Sequence, residues 1–265
     1  MISVLNSVSQ LSAENALSST QASLQNTLQQ LSTGLRINSG SDDAAGLAIA
    51  SGLGANISAL TQSSQNASDS VGLLQTADGA LSQVTALLNR AVTLATEAAN
   101  GQPAADTEYQ SILNEITQIG TTTQFNGTPV FSATAISTFT SDGTTLGTTT
   151  TTTATGALSA TTLGLTSDLT SVANATTSLD AITAAIATVA ATRGTIGASV
   201  NQLTADENVE NTQVTNLTSA QNSVQNADIG TTVAKMTQYN VLEQTGMAAL
   251  SQSNQAEQAV LKLLQ

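Results

Sequence analysis

From Leu53 to Ala95 the chain steps by four and three residues in strict alternation, through Ile57, Leu60, Ser64, Ala67, Val71, Leu74, Asp78, Leu81, Thr85, Leu88, Val92 and Ala95. Only Ser64, Asp78 and Thr85 interrupt the apolar series. A mean step of 3.5 keeps one stripe on one side of an α-helix, whereas a strand would scatter it over both faces. At ~1.5 Å per residue the segment spans roughly 60–65 Å, so its stripe needs a partner helix of similar length. A second seam supplies one. Leu179, Ile182, Ile186, Val189, Arg193, Ile196, Val200 and Leu203 keep the alternation, and the same frame continues through Glu207, Glu210, Val214, Leu217, Gln221 and Val224. The two seams are natural antiparallel partners, with the chain turning round between them.

The flanks are helical too. Val4, Val8 and Leu11, then Leu17, Leu24, Leu28, Leu31 and Leu35, predict a helix over residues 1–35, with a one-residue slip that rules out a strict two-stranded coiled coil. The segment "GLRINSGS" (34–41) breaks it. Ser41 is then expected to cap the next helix, with Asp42 and Asp43 in its first turn, where the exposed amides favour negative charge by ~0.3–1 kcal/mol each. Asn100-Gly101 followed by Pro103 ends that helix. A shorter one should run to about Ile119, with Tyr109, Ile112, Ile116 and Ile119 on one face.

Residues 121–131, "TTTQFNGTPVF", read as a hairpin around Asn126-Gly127. Residues 132–170 are rich in Thr and Gly and include six threonines at 148–153. They form either short surface β-structure or a flexible, O-glycosylatable loop. Helix returns near Val172, and a last helix runs from about Asp228 to the end, with Lys262 complementing the dipole of its final turn.

Composition closes off several functions. Cysteine and histidine are absent, which removes thiolate and zinc–thiolate chemistry and the commonest general base. The formal charge is −13, and the cations are Arg36, Arg90, Arg193, Lys235 and Lys262. Five scattered cations cannot neutralise a row of phosphates or hold an anionic membrane surface. No continuous apolar run approaches the ~18–20 residues of a membrane span, and the N-terminus lacks the basic and apolar regions of a cleavable signal. Glu108 and Glu115 belong to solvated helix faces, and no cofactor or metal site is expected. Four Asn-X-Ser/Thr sequons, at Asn56, Asn66, Asn174 and Asn216, are chance matches within helices.

Aromatics make up 2% of the chain and tryptophan is absent, so small residues must build the core. Two weakly charged terminal helices from one chain bury only their facing stripes, and isolated helices gain little stability without a packed face. Contacts between opposite sides of many copies would satisfy the remainder, and a heterologous contact of that kind makes an open helical filament.

At this point the motifs become recognisable. "LSTGLRINSGSDDAAGLAIA" (31–50) resembles the N-terminal signature of bacterial flagellins. The similarity continues in "ALLNRAVTLATEAANG" (86–101), "LNEITQIGTTTQFNG" (113–127), "TRGTIGASVNQL" (192–203), "NLTSAQNSVQNADI" (216–229) and "SQSNQAEQAVLKLL" (251–264). The centre, 132–170, has no match and is short, as in a minimal flagellin without large outer domains.

The resemblance implies a mainly α fold: a long antiparallel coiled-coil rod with a small β-hairpin region, and terminal helices paired as an inner domain. The expected divisions are an inner-core helix at 1–35, a spoke linker at 36–41 and the N-terminal part of the rod at 42–120. The hairpin and variable region follow at 121–170, then a rod helix at 171–223 and a second inner-core helix at 224–265. Leu24, Leu28, Leu31, Val233, Met236, Leu250, Val260 and Leu264 would pack subunits in the inner core. Arg36, Asp42 and Asp43 would form the spoke junction, with Arg36 as an ion partner within or between subunits. Arg90, Leu94 and Glu115 occupy the positions through which Toll-like receptor 5 senses some flagellins.

The implied function is self-assembly into the extracellular flagellar filament, a secreted helical homopolymer that gives motility. The implied partners are an export chaperone on the C-terminal helix during type III export, and hook-associated junction and cap proteins. The competing expectations are a hook–filament junction protein, a flagellin carrying an enzymatic insert, and a secreted coiled-coil binding module that stays soluble.

Overall fold

The computed structural model describes residues 2–101, 105–141 and 148–263. Helices α1 (Ile2–Thr33), α2 (Ala44–Ala99) and α3 (Asp106–Thr122) are followed by strands β1 (Gln124–Phe125), β2 (Thr128–Pro129), β3 (Ile136–Ser141) and β4 (Thr148–Thr153), then helices α4 (Val172–Gln225) and α5 (Ile229–Leu263). The fold is mainly helical, with two small antiparallel strand pairs, as the sequence leads one to expect. The chain divides into two compact units, one made of residues 1–55 and 217–265 and the other of residues 56–216.

Serine and threonine are frequent within the helices. Their hydroxyls bond back to the carbonyl four residues earlier, as at Thr27 (2.7 Å), Thr61 (2.7 Å), Thr85 (2.8 Å), Thr183 (2.8 Å) and Thr237 (2.9 Å). A hydroxyl satisfied within its own helix no longer competes for other backbone groups.

Residues 56–216 hold the core. Its α2 and α4 portions run antiparallel: stepping back on α2 from Asp78 to Ser63 moves the partner forward on α4 from Arg193 to Glu210. The buried stripe of α2 departs from the expected seam. Leu60, Ala67, Leu74, Leu81, Leu88 and Ala95 are buried, but Ile57, Ser64, Val71, Asp78, Thr85 and Val92 are half-buried. The other buried row is Ser63, Ala77, Val84, Ala91 and Ala98, three residues after each of their neighbours. Spacing alone fits either row, because steps of three and of four both lie within one face. The small-residue row lies inward because α2 contributes to one core with α3, the β1–β2 segment, the coil before α4 and α4 itself, including Tyr109, Ile116, Val130, Leu165 and Leu169.

Tyr109 is the largest fully buried side chain, and burial raises its phenol above the usual range. Asp106 accepts from the Leu169 amide (2.8 Å), which ties the coil to the start of α3. Ser171 caps α4 through the Asn174 amide (3.2 Å). Asn126 (φ 49°) and Gly127 (φ 78°) form the tight turn between β1 and β2, as the Asn-Gly pair predicts. The threonine run becomes β4, antiparallel to β3 with Ile136 opposite Thr153, so residues 136–141 and 148–153 take the β-structure alternative, while 154–170 are coil and turns.

In the other unit, α1 and α5 are antiparallel: Gln10 bonds Asn254 (2.9 Å) and Gln21 bonds Glu243 (3.1 Å). By length and composition, α2 and α4 each contain a stretch apolar enough to cross a membrane. A search for one continuous apolar run passes over these stretches, because alanine and aliphatic residues are interleaved there with Gly, Ser and Thr.

Candidate functional site

The α1–α5 pair exposes many of its large apolar residues. Val8 is 60% exposed, Leu11 58% and Val241 54%, and Leu28, Ile229, Val233, Leu242 and Met247 are exposed as well. In the whole unit of residues 1–55 and 217–265, Ile37 and Ala50 are the only hydrophobic side chains buried among the described residues. The reason is geometric: two helices share one seam, and the seam here is filled by small groups. Leu17 lies over Gly246, and a shallow groove of ≈ 400 Å³ runs between Ala13, Ala16, Leu17, Leu242, Gly246 and Ala249.

Of the positions expected to pack subunits, Leu28 and Val233 are exposed, while Leu24, Leu31, Met236 and Leu250 are half-buried. Val260 falls on α5, and Leu264 lies outside the described residues.

The junction is asymmetric. Ten residues, 34–43, separate α1 from α2, whereas three, 226–228, separate α4 from α5. Gly34 closes α1 in the left-handed conformation (φ 73°), which costs glycine nothing. Thus α1 ends before Leu35, which pairs with Asn226 in an isolated antiparallel bridge. The Arg36 amide donates to Gln225 O (2.7 Å), the Ala227 amide to Gly34 O (2.9 Å), and the Arg36 guanidinium to Val224 O (2.6 Å). A cation on the last carbonyls of α4 complements the helix dipole.

Three expectations for this loop need correction. First, α2 begins at Ala44, so Asp43 is its cap rather than part of its first turn. Its Oδ1 accepts from the Gly46 amide (2.9 Å), the bond expected of a capping carboxylate. Second, Ser41 does not cap; its hydroxyl bonds Ser39 (2.7 Å). Asp42 folds back instead, accepting from the Asn38 and Ser39 amides (3.0 and 2.9 Å) and the Ser39 hydroxyl (3.1 Å). The Asn38 amide, then Ser39, hold its carboxyl below the usual range. Third, within the chain Arg36 reaches α4 carbonyls, not either aspartate. At Gly46 an added Cβ would meet the ends of the Asp43 and Ile37 side chains, so a larger residue there would have to displace the capping carboxylate or the buried Ile37.

The receptor positions differ in their surroundings. Arg90 and Glu108 form a two-pronged ion pair (2.8 and 2.9 Å), in which each holds the other charged. Leu94 is buried, and Glu115 is exposed on α3. Sequence reasoning missed Glu108 as the Arg90 partner. It also missed the Asp78–Arg193 pair (2.7 and 3.1 Å) joining α2 to α4. The signal was present: an acid and a base each interrupt one of the two seams.

Residues 4–136 match the family model for the bacterial flagellin N-terminal helical region, and residues 179–264 match that for the C-terminal helical region. The chain belongs to the bacterial flagellin family. It is 42% identical over 139 residues to a phase 1 flagellin of Salmonella naestved and to a flagellin of Salmonella budapest, an alignment covering 50% of this chain. That alignment spans 28% of those relatives' length. A crystal structure of Bacillus cereus flagellin aligns at 30% identity and a TM-score of 0.48, covering 55% of this chain and 88% of that one. Between the two matched regions this flagellin has only residues 137–178, so it lacks the outer domain. Its two family regions contain both halves of the α1–α5 pair and of the α2–α4 pair.

Proposed function

We propose that the chain is a structural subunit that self-assembles into the extracellular flagellar filament and thereby serves swimming motility. The observation that carries this reading is the α1–α5 helical pair, which leaves Val8, Leu11, Leu28, Val233, Val241, Leu242 and Met247 exposed to water. At ~25 cal/mol per Å² of apolar surface removed from water, contacts among many copies would recover what a lone pair cannot. The inner domain comprises residues 1–35 and 224–265, the spoke 36–41, the rod segments 42–120 and 171–223, and the variable region 121–170. Leu24, Leu28, Leu31, Val233, Met236, Leu250, Val260 and Leu264 provide the subunit contacts, while Arg36 holds the spoke on the end of α4, Asp42 folds the loop and Asp43 caps α2.

On this reading the chain acts without catalysis. An export chaperone covers the α5 segment before secretion, and hook-associated junction and cap proteins contact the finished polymer. Recognition by Toll-like receptor 5 through Arg90, Leu94 and Glu115 is disfavoured, because Glu108 already holds Arg90 and Leu94 is buried.

Electron microscopy and sedimentation of the purified chain after adding a precipitating salt test the proposal. Long filaments are expected from the full chain and none from chains lacking 1–35 or 224–265. Assembly of either truncation, or a full chain that stays soluble, overturns the reading. Growth that stops at a thin ring supports a junction protein instead.

A further inference from the structure

The α2–α4 seam contains two carboxylates of opposite situation. Asp78 has a guanidinium against both of its oxygens. Glu210, on α4, has none. It is 4% exposed, and its Oε1 accepts from the Ser63 hydroxyl of α2. Its Oε2 is closed off from water without a hydrogen-bond partner, and so is Oδ2 of Asp206, one turn earlier on the same helix. Glu207 adds a third acid beside them.

Among the described residues, no cation answers this group from a neighbouring element. The facing stretch of α2, from Ala44 to Ser68, has no titratable side chain, and the next acid, Asp69, is exposed and bonded to Gln65. Strands β3 and β4 pack near this part of α2, where Asn66 bonds Phe139 O and Ser70 bonds Thr138. Their residues 136–141 and 148–153 carry no charge.

We infer that Glu210 is a proton-operated clasp between α2 and α4, closing this layer of the seam when its carboxyl is neutral and loosening it when ionised. A buried carboxylate with one hydroxyl donor and two acids beside it lacks the partners that ionisation requires. A proton taken from solvent removes the buried charge, removes the repulsion from Asp206 and Glu207, and supplies a donor where two unpartnered oxygens lie within a helical turn. Burial foremost pushes the Glu210 carboxyl above its usual 4.5; the Ser63 bond opposes it, and Asp206 and Glu207 add smaller raising effects. The sign follows from linkage. A group raised in the folded state stabilises it fully below its unfolded value, and that contribution is lost as pH rises through the folded value. The clasp therefore tightens on mild acidification, and its operation does not rest on filament formation.

The test uses the full chain as a monomer. With glutamate carboxyl carbons labelled, the Glu210 resonance, assigned by its loss in Glu210→Gln, should titrate above pH 4.5, and Asp206→Asn should lower that midpoint. Amide protection over residues 57–67 and 204–214 should be several-fold greater in Glu210→Gln than in wild type at pH 7.5. The two should converge near pH 4.5, with α1 and α5 unaffected. A midpoint at or below 4.5, or a Glu210→Gln chain no better protected at pH 7.5, overturns the proposal. If that variant fails to fold, the wild-type resonance that moves in Asp206→Asn supplies the midpoint and decides alone.

Discussion

The α1–α5 pair and the α2–α4 pair are built from the same material, long antiparallel helices of Ala, Ser, Thr, Gln and Leu, yet one exposes what the other buries. In residues 56–216 the leucines at 60, 74, 81, 88 and 203 are all but inaccessible. In the terminal pair Leu11, Leu28 and Leu242 face solvent. The difference lies in the number of layers, not in hydrophobicity. Two helices cover one stripe on each other, and a wider apolar face needs something further to lie on it. Residues 56–216 supply that from α3, the β1–β2 segment and the coil before α4, whereas the terminal pair has no such layer among the described residues. A single chain thus contains one finished core and one face left for other molecules.

The sharpest way to break this contrast is truncation of matched leucines. Leu88→Ala should destabilise residues 56–216 by about 2–5 kcal/mol, the usual cost of a buried cavity, measured by urea unfolding. Leu28→Ala should change monomer stability by no more than about 0.5 kcal/mol and still abolish pelletable filaments. Equal losses of monomer stability in the two variants would erase the distinction between core and assembly face.

A smaller effect tests the junction. Asp43→Ala removes the cap of α2 and should cost about 1 kcal/mol, while Asp43→Asn keeps an acceptor and most of the stability. Reduced helicity near residue 44 by amide exchange in the alanine variant, but not in the asparagine variant, is the expected pattern.

The smallest effect concerns the Asp78–Arg193 pair. Each side chain is more than a third exposed, so solvent screens the attraction, and Asp78→Asn should cost under about 1 kcal/mol at neutral pH. Arg193 holds the Asp78 carboxyl below its usual range, through the hydrogen bond foremost. This contribution is present above the unfolded value of an aspartate and is lost as pH falls through the folded value. Wild type should therefore lose its advantage over Asp78→Asn as pH falls to strongly acidic values, whereas acidification strengthens the wild-type seam at Glu210.

Much of the fold was legible because a helix is a local object. Unbroken 4,3 spacing, the Asn100-Gly101 stop and the Asn126-Gly127 turn depend on neighbours in sequence, and each stands where the residues indicated. The family motifs were legible for the same reason. Spacing placed Asp78, Arg193 and Glu210 on their helix faces, but a face is not a partner. Whether an acid meets a guanidinium, as Asp78 does, or a lone hydroxyl, as Glu210 does, depends on the register of two helices more than a hundred residues apart in the chain.

The loop at 34–43 was misread on the same grounds. Ser41, Asp42 and Asp43 are all competent caps, and the choice among them came from where Asp42 could satisfy the Asn38 and Ser39 amides. By itself, then, the sequence determined the helices, their breaks and the family. The tertiary structure alone decided which of two eligible rows on α2 turned inward, which charges were neutralised, and which apolar faces stayed in water. Those outcomes follow from distances between segments, and periodicity along one segment does not contain them.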